Sequence, residues 1–338
     1  MMLCPSCDKG QLHRAGGAWL CPVCERQYAG TDAYIDLQPA AQEHTARHYS
    51  LQWGQQLGFL QFIQQQRAKA TSVMPSARLG WDELLADIRQ AASEREVHVY
   101  DAGCGFGGVA NELFQSGGHD RIRYVGADLH DSLAAIPDAI PALATRGLLV
   151  RWDIAQPLPF EPAFDYVICR AVIHHTPAPA DTFRALCASL RPGGTIAISA
   201  YRKKSITREA MDDALRQQIA GLDPEAAFAA CGQFTTLGKA LQAVKQQVHI
   251  PVDLPLLGVK AGSYDVQSLI YYHLLKCFYN DTFGDRYSTL VNYDWYHPEY
   301  AFRYDIEELR QWFDANGLEI VDHQSIEVQH YLRGRRPA

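Results

Sequence analysis

Between residues 97 and 201 the chain repeats one pattern: a short apolar run, a turn holding glycine or an acid, then a segment with helical spacing. The apolar runs fall at 97–100, 124–127, 148–152, 166–169 and 195–200. Runs this short and this continuous belong to strands buried on both faces, and their alternation with helices predicts a parallel, doubly wound α/β sheet. Further on, Asp305 with Glu308 three residues later opens a helix through Leu309, Trp312 and Phe313 that stops at Asn316-Gly317. Two strands, near 318–322 and 326–332, are expected to close the sheet.

Four segments follow from the pattern: a Cys-rich head at 1–36, a helical linker or lid at 37–93, a Rossmann-like domain at 94–201 with 304–338, and a helical cap inserted at 202–303. The insertion is too long for a simple connection and is broken at Asp223-Pro224 and between Pro251 and Pro255. With 338 residues, 47% hydrophobic and 20% charged, the chain has material for a full core. No window reaches the roughly 18 uninterrupted apolar residues of a membrane span, and Met1-Met2-Leu3-Cys4-Pro5 lacks a secretory pattern, so a cytoplasmic protein without a membrane partner is expected. The balance of 31 basic against 38 acidic side chains, −7, offers no general attraction to nucleic acid.

Cys4-Pro-Ser-Cys7 and Cys21-Pro-Val-Cys24 have the spacing at which two knuckles place four thiolates around one zinc ion. Four sulfur ligands close the coordination sphere, which predicts a structural metal; redox dithiols are the alternative. A head with so few large apolar residues should fold by binding that metal. Residues 1–45 hold Lys9, Arg14 and Arg26 against Asp8, Glu25, Asp32, Asp36 and Glu43, poor equipment for phosphate contact. The head therefore reads as a folding module or as a contact for a protein partner or a second copy.

The first apolar run enters Asp101-Ala-Gly103-Cys104-Gly105-Phe-Gly-Gly, whose glycines let a ligand approach the backbone at a strand end. No Gly-Lys-Ser/Thr follows, so it is not a phosphate loop; an acid at its head suits a ligand with a positive end. Asp128, 27 residues further, ends the second strand, where a carboxylate can accept ribose hydroxyls, and Asp153 follows the third.

In this series the chain resembles the class I S-adenosylmethionine-dependent methyltransferases over about residues 97–201. Asp101-Ala-Gly-Cys-Gly resembles the motif around the methionine moiety, Asp128 the ribose-binding acid, and Asp153-Ile154 the adenine-contacting pair before Pro157-Leu-Pro-Phe160. Phe164-Asp-Tyr-Val-Ile168, His174-His-Thr-Pro177 and Leu190-Arg-Pro-Gly-Gly194 resemble the fourth strand, the segment after it and the turn before the fifth. The resemblance implies S-adenosylmethionine as cofactor, held by Asp101, Gly103, Cys104, Gly105, Asp128, Leu129, Asp153 and Ile154; Arg170, beside the methionine end, could pair with a carboxylate on cofactor or substrate, or form a structural ion pair. The head resembles those of bacterial rRNA guanine methyltransferases and of small ribbon subunits that activate other methyltransferases, although its four Cys depart from the former's mixed Cys and His set. The segment from Asp294 through Tyr300 resembles tails of bacterial methyltransferases thought to act on small molecules or glycans.

A sulfonium methyl is already activated, so a base is needed only for a protonated acceptor; His174 or His175 could supply it. Adjacent helical residues diverge by about 100°, so one of the two should face the acceptor. Tyr271, Tyr272, Tyr293, Asp294, Trp295, Tyr296, His297 and Tyr300 could wall an apolar or sugar-like acceptor, or simply pack the cap. Tyr49, Leu51 and Trp53 could close over the cofactor. The expected activity is methyl transfer to O or N of a small molecule, a saccharide or a biosynthetic intermediate. An RNA methyltransferase that uses the ribbon and a non-catalytic cofactor-binding partner are the rivals.

Overall fold

The computed structural model describes residues 2–37, 46, 48–52, 79–115, 120–161 and 163–338. Two compact units separate: residues 1–201 with 302–338, and residues 202–301. In the first unit three short head strands, β1 (His13–Ala15), β2 (Ala18–Leu20) and β3 (Gln27–Tyr28), form an antiparallel sheet. The main sheet has eight strands: β4 (Tyr34–Asp36), β5 (Val97–Ala102), β6 (Ile122–Asp128), β7 (Gly147–Arg151), β8 (Phe164–Arg170), β9 (Leu190–Tyr201), β12 (Glu319–Ser325) and β13 (Gln329–Arg335). Their order is β12-β13-β9-β8-β5-β6-β7-β4, parallel from β9 to β4, with the final hairpin antiparallel at one edge.

All five expected strands and the closing hairpin are present, with ends displaced from the expected ones by at most five residues. One strand was not expected: β4, inside the segment read as head, pairs with β7 through Tyr34–Leu149, Ile35–Val150 and Asp36–Arg151. Three residues between turns give no periodicity to read, and Ile35, fully buried, is placed by the sheet edge it covers. The head also packs on the sheet: Met2, Cys4, Leu12, Cys21 and Tyr28 share one core with Val150, Leu158, Phe164 and Phe183, and Leu3 N–H donates to the Pro159 carbonyl at 2.7 Å.

The opposite face is covered by α1 (Trp81–Glu94), whose buried Trp81, Leu84, Leu85, Ile88 and Ala92 repeat at helical spacing, and by α2 (Gly108–Phe114). The linker expected at 37–93 is helical at 48–52 and from 81 to its end; its greater part, with Trp53, lies outside the described residues. The helix at Ile306–Ala315 carries the expected capping box of Asp305 and Glu308.

The second unit contains helices at Ile206–Ile219, Pro224–Ala243, Val266–His273 and Gly284–Tyr296. It also holds a hairpin of β10 (Gln247–Ile250) and β11 (Gly262–Asp265), where a mainly helical segment was expected. At Asp223-Pro224 the proline takes the first position of the helix Pro224–Ala243 and Asp223 caps it through Ala226 N–H, whereas Pro251 follows β10 and not a helix. No described helix is long and apolar enough to cross a membrane.

Candidate functional site

The central strand β5 pairs with β6 on one side and β8 on the other, so the chain order reverses there. Crevices beyond the carboxyl ends of strands at such a point are where open α/β sheets take ligands. The glycine loop leaves β5 at this place. Gly103, Gly105 and Gly107 have φ of 76°, 52° and 84°, the left-handed region open to glycine at little cost. A Cβ on Gly103 would stand 2.5 Å from Val172 Cγ1, so the loop lies directly against the turn after β8.

That turn is itself unusual. Ala171 has φ of 59°, rare for a residue with a Cβ, and strain of this kind, about 1–3 kcal/mol, is tolerated only where the surroundings impose it. Here Ser199 Oγ accepts from Ala171 N–H at 2.9 Å, tying the turn to β9. The bend sends residues 173–175 into a short 3₁₀ turn. His174 is fully buried and lies 3.6 Å, ring to ring, from Tyr201; His175, 7% exposed, meets the same ring edge-on at 5.4 Å. The two imidazoles are 4.3 Å apart, so they lie together instead of diverging to separate surroundings. Tyr49, from the helical residues 48–52, approaches His175 at 6.3 Å, and Ser50 Oγ accepts from Asp131 N–H at 3.1 Å.

Asp128 ends β6 and is buried; its oxygens accept from Gly105 N–H at 2.8 Å and Leu129 N–H at 2.7 Å. Each carboxylate oxygen offers two lone-pair positions, so one remains on each. His130 Nε2 stands 2.9 Å from the Gly105 carbonyl, and the Gly105 residue is thereby held from both its N–H and its C=O side. Asp153 follows β7 and accepts from Ala155 N–H at 2.9 Å; Ile154 is buried.

Asp101, 1% exposed, accepts from the Tyr124 hydroxyl at 2.6 Å. Burial pushes its carboxyl up to about 7, against the opposing pull of that hydrogen bond and of Arg170. Arg170 itself donates to Glu112 Oε1 at 3.2 Å and lies 5.4 Å over the Trp81 ring. Cys104 is buried, its thiol pushed well above the ordinary range by burial. His130, Tyr124, Ser199 and Tyr201 were not singled out from sequence. Only His130, two residues beyond the strand-end acid, stood where a strand-end pattern could have drawn attention.

The residues expected around an acceptor are distributed within the helical unit. Tyr293, Tyr296 and His297 are interior: Tyr293 stacks on His297 at 4.8 Å, Tyr296 on Phe234 at 4.3 Å, and His297 Nε2 stands 3.0 Å from the Leu222 carbonyl. Tyr271 lends its carbonyl to Arg208. Asp294 and Tyr300 are half-buried.

In the head the four sulfurs of Cys4, Cys7, Cys21 and Cys24 all lie within 4.8 Å of one another, with Cys4–Cys24 at 3.6 Å and Cys7–Cys21 at 3.7 Å. A tetrahedral zinc site with bonds of about 2.3 Å has sulfur–sulfur edges of about 3.8 Å, so the cluster has the dimensions a zinc ion requires. Gly10 makes room for it, since a Cβ there would run into Cys21 Sγ.

Residues 100–196 match the family described as a methyltransferase domain. The ubiquinone biosynthesis O-methyltransferase of Ralstonia nicotianae (strain ATCC BAA-1114 / GMI1000) is 28% identical over 135 residues, 38% of this chain and 50% of that protein. The chain thus spans about half the length of the curated relative it matches. Among solved structures, the 1,6-didemethyltoxoflavin-N1-methyltransferase of Burkholderia thailandensis aligns over 97% of this chain and all of its own, at 14% identity and a TM-score of 0.45. The magnesium protoporphyrin IX methyltransferase of Synechocystis PCC 6803 aligns over 75% of this chain and 77% of its own, at 14% identity and a TM-score of 0.39. The segment that carries the glycine loop, the three strand-end acids and the His174-His175 turn is therefore the segment that the methyltransferase-domain family matches.

Proposed function

We propose that the protein is an S-adenosylmethionine-dependent methyltransferase acting on O or N of a small-molecule, saccharide or biosynthetic-intermediate acceptor. The observation that carries this reading is the glycine cradle of Gly103 and Gly105 set against the strained Ala171 turn, with Asp128 beside it retaining free acceptor positions. Bound there, the cofactor supplies an electrophilic sulfonium methyl group. Asp128 would accept the ribose hydroxyls, Asp153 and Ile154 would border the adenine, and Asp101 with the loop backbone would hold the amino-acid end. Cys104 and Leu129 belong to the loop and strand end that meet the nucleoside, and Arg170 acts through its charge on Asp101.

Methyl transfer by in-line displacement needs alignment and dryness more than acid–base help. A hydroxyl or ammonium acceptor must still lose a proton, and His175, at the edge of the cluster with His174 and Tyr201, is the base we assign; His174 positions it. The helical unit serves as the acceptor-recognising cap. One zinc ion held by Cys4, Cys7, Cys21 and Cys24 supports the head as structure, leaving no open position for catalysis.

Titration calorimetry of the purified protein with S-adenosylmethionine and S-adenosylhomocysteine tests the reading. Micromolar binding of both is expected, followed by labelled methyl transfer into a metabolite extract; binding of neither would overturn it. If His174→Ala and His175→Ala each leave turnover unchanged, neither is the base.

A further inference from the structure

Within the helical unit, Lys276 is 7% exposed and lies on the irregular segment after the helix Val266–His273. Its backbone N–H donates to Asp212 Oδ1 at 3.0 Å, and its ammonium stands 4.8 Å from the Trp295 ring centre. Among the described residues no carboxylate lies within ion-pair distance of that ammonium and no acceptor is hydrogen-bonded to it. The nearest buried anion is already committed. Asp212 accepts from Arg208 Nε at 2.5 Å, Trp295 Nε1 at 2.8 Å and Lys276 N–H, while the single proton of the Tyr296 hydroxyl, 3.1 Å from Asp212, lies closer to the Lys276 carbonyl at 2.8 Å.

Lys276 also has cationic company. Arg208, 2% exposed, and Lys204 lie within electrostatic reach of it and of each other. The acids facing the group are Asp212, Asp294 and Glu209, the last accepting from Lys204 N–H at 2.7 Å. Buried ammonium groups are expected to have anionic or hydrogen-bonded partners, and a cation over an aromatic face satisfies only part of that demand. Burial first, and Arg208 beside it, pull the Lys276 amine down to about 8, while burial and Arg208 take Lys204 to about 7. Both lysines therefore gain proton affinity when an anion arrives.

We infer that Lys276, with Lys204 and Arg208 around it, forms an oxyanion site that takes a carboxylate or phosphate group of the acceptor. The word acceptor rests on the methyltransferase reading; the anion site itself does not. It places a negatively charged acceptor on a protein whose overall charge of −7 would otherwise repel one, so attraction must be local.

The test is calorimetry of the full chain with malonate and with inorganic phosphate, each in two buffers of different ionisation enthalpy and against chloride at matched ionic strength. Saturable binding of at least one probe with proton uptake near neutral pH is expected, and which probe binds identifies the group. Lys276→Met should weaken that binding about tenfold or more, and Lys276→Arg should restore most of it. A probe-induced change in tryptophan fluorescence should vanish in Trp295→Phe. Thermal denaturation without probe separates a folding defect from a binding defect, since a purely structural Lys276 would shift melting and leave probe affinity alone. No binding of either probe beyond chloride, or unchanged affinity in Lys276→Met, would overturn the inference. Titrating the same samples with S-adenosylhomocysteine keeps the two readings apart: anion binding without nucleoside binding would retain the site and remove the methyltransferase.

Discussion

Asp128 in the sheet unit and Asp212 in the helical unit are both buried carboxylates, yet they are bonded in different ways. Asp128 takes two backbone N–H groups from its own strand end and the neighbouring loop, and keeps a lone pair on each oxygen. Asp212 takes three N–H donors from three separate segments, those of Arg208, Lys276 and Trp295, with the Tyr296 hydroxyl also beside it. The first carboxylate shapes a loop and can still receive a ligand; the second ties helices together and makes no ion pair with the Lys276 ammonium. In the sheet unit, backbone geometry makes the site; in the helical unit, side-chain networks do.

The largest effect should come from the head, the part of the sheet unit that the comparison of carboxylates does not reach. Cys21→Ser is expected to remove about one equivalent of zinc and to melt residues 2–30, because so small a module depends on its metal to fold. Elemental analysis with hydrogen exchange checks this, and exchange in residues 202–301 should not change. Full zinc retention would remove the metal site. Met2, Leu12 and Tyr28 lie in the core of the main sheet, so some loss of protection in β7 and β8 should accompany the melting.

Asp212→Ala comes next, at about 3–5 kcal/mol, since it removes the carboxylate paired with buried Arg208 and leaves the Trp295 donor unpaired. The loss should appear as reduced protection in 202–301, with nucleoside binding in the sheet unit retained. Equal loss in both units would break the distinction drawn between them. Asp128→Ala should act in the opposite sense. Nucleoside affinity falls about 10- to 100-fold as a charged acceptor is lost and Gly105 N–H is released, while the melting temperature moves little. Unchanged affinity by calorimetry would contradict the ribose assignment.

The same contrast explains what the sequence made legible. Strand ends are local: Asp101, Gly103, Gly105, Asp128 and Asp153 each follow an apolar run, so their convergence follows from topology once the runs are recognised. Ala171 carries no such mark, because its positive φ is imposed by Ser199 and the glycine loop, both distant in sequence. β4 was hidden by its brevity. In the helical unit the Tyr and Trp residues near 293–297 read equally well as a wall for an acceptor or as packing. Only partners some 60 to 75 residues away, Phe228 for Tyr293, Phe234 for Tyr296 and Leu222 for His297, turn these side chains inward. The network around Lys276 draws on residues 204–212, 276 and 295–296, a set with no spacing to recognise.

The smallest expected effect is the most specific to the sheet unit. Asp101 holds its proton up to about 7 in the fold against an ordinary 3.8, with burial as the main cause. Between those values the folded protein binds a proton that the unfolded chain has released, so stability falls as pH rises from about 4 to about 7 and is level above. Asp101→Asn should remove that slope, which denaturant melts across the range would show. A ligand with an ammonium group favours the ionised carboxylate, so binding of S-adenosylhomocysteine should release a proton below about 7. Its affinity should then rise with pH, by at most about tenfold per unit, and flatten above neutrality. The Asn variant should bind weakly with no such rise. A wild-type affinity independent of pH between about 5.5 and about 7 would mean that Asp101 stays protonated beneath the ligand, a donor held by Tyr124 within the loop and no counter-ion at all.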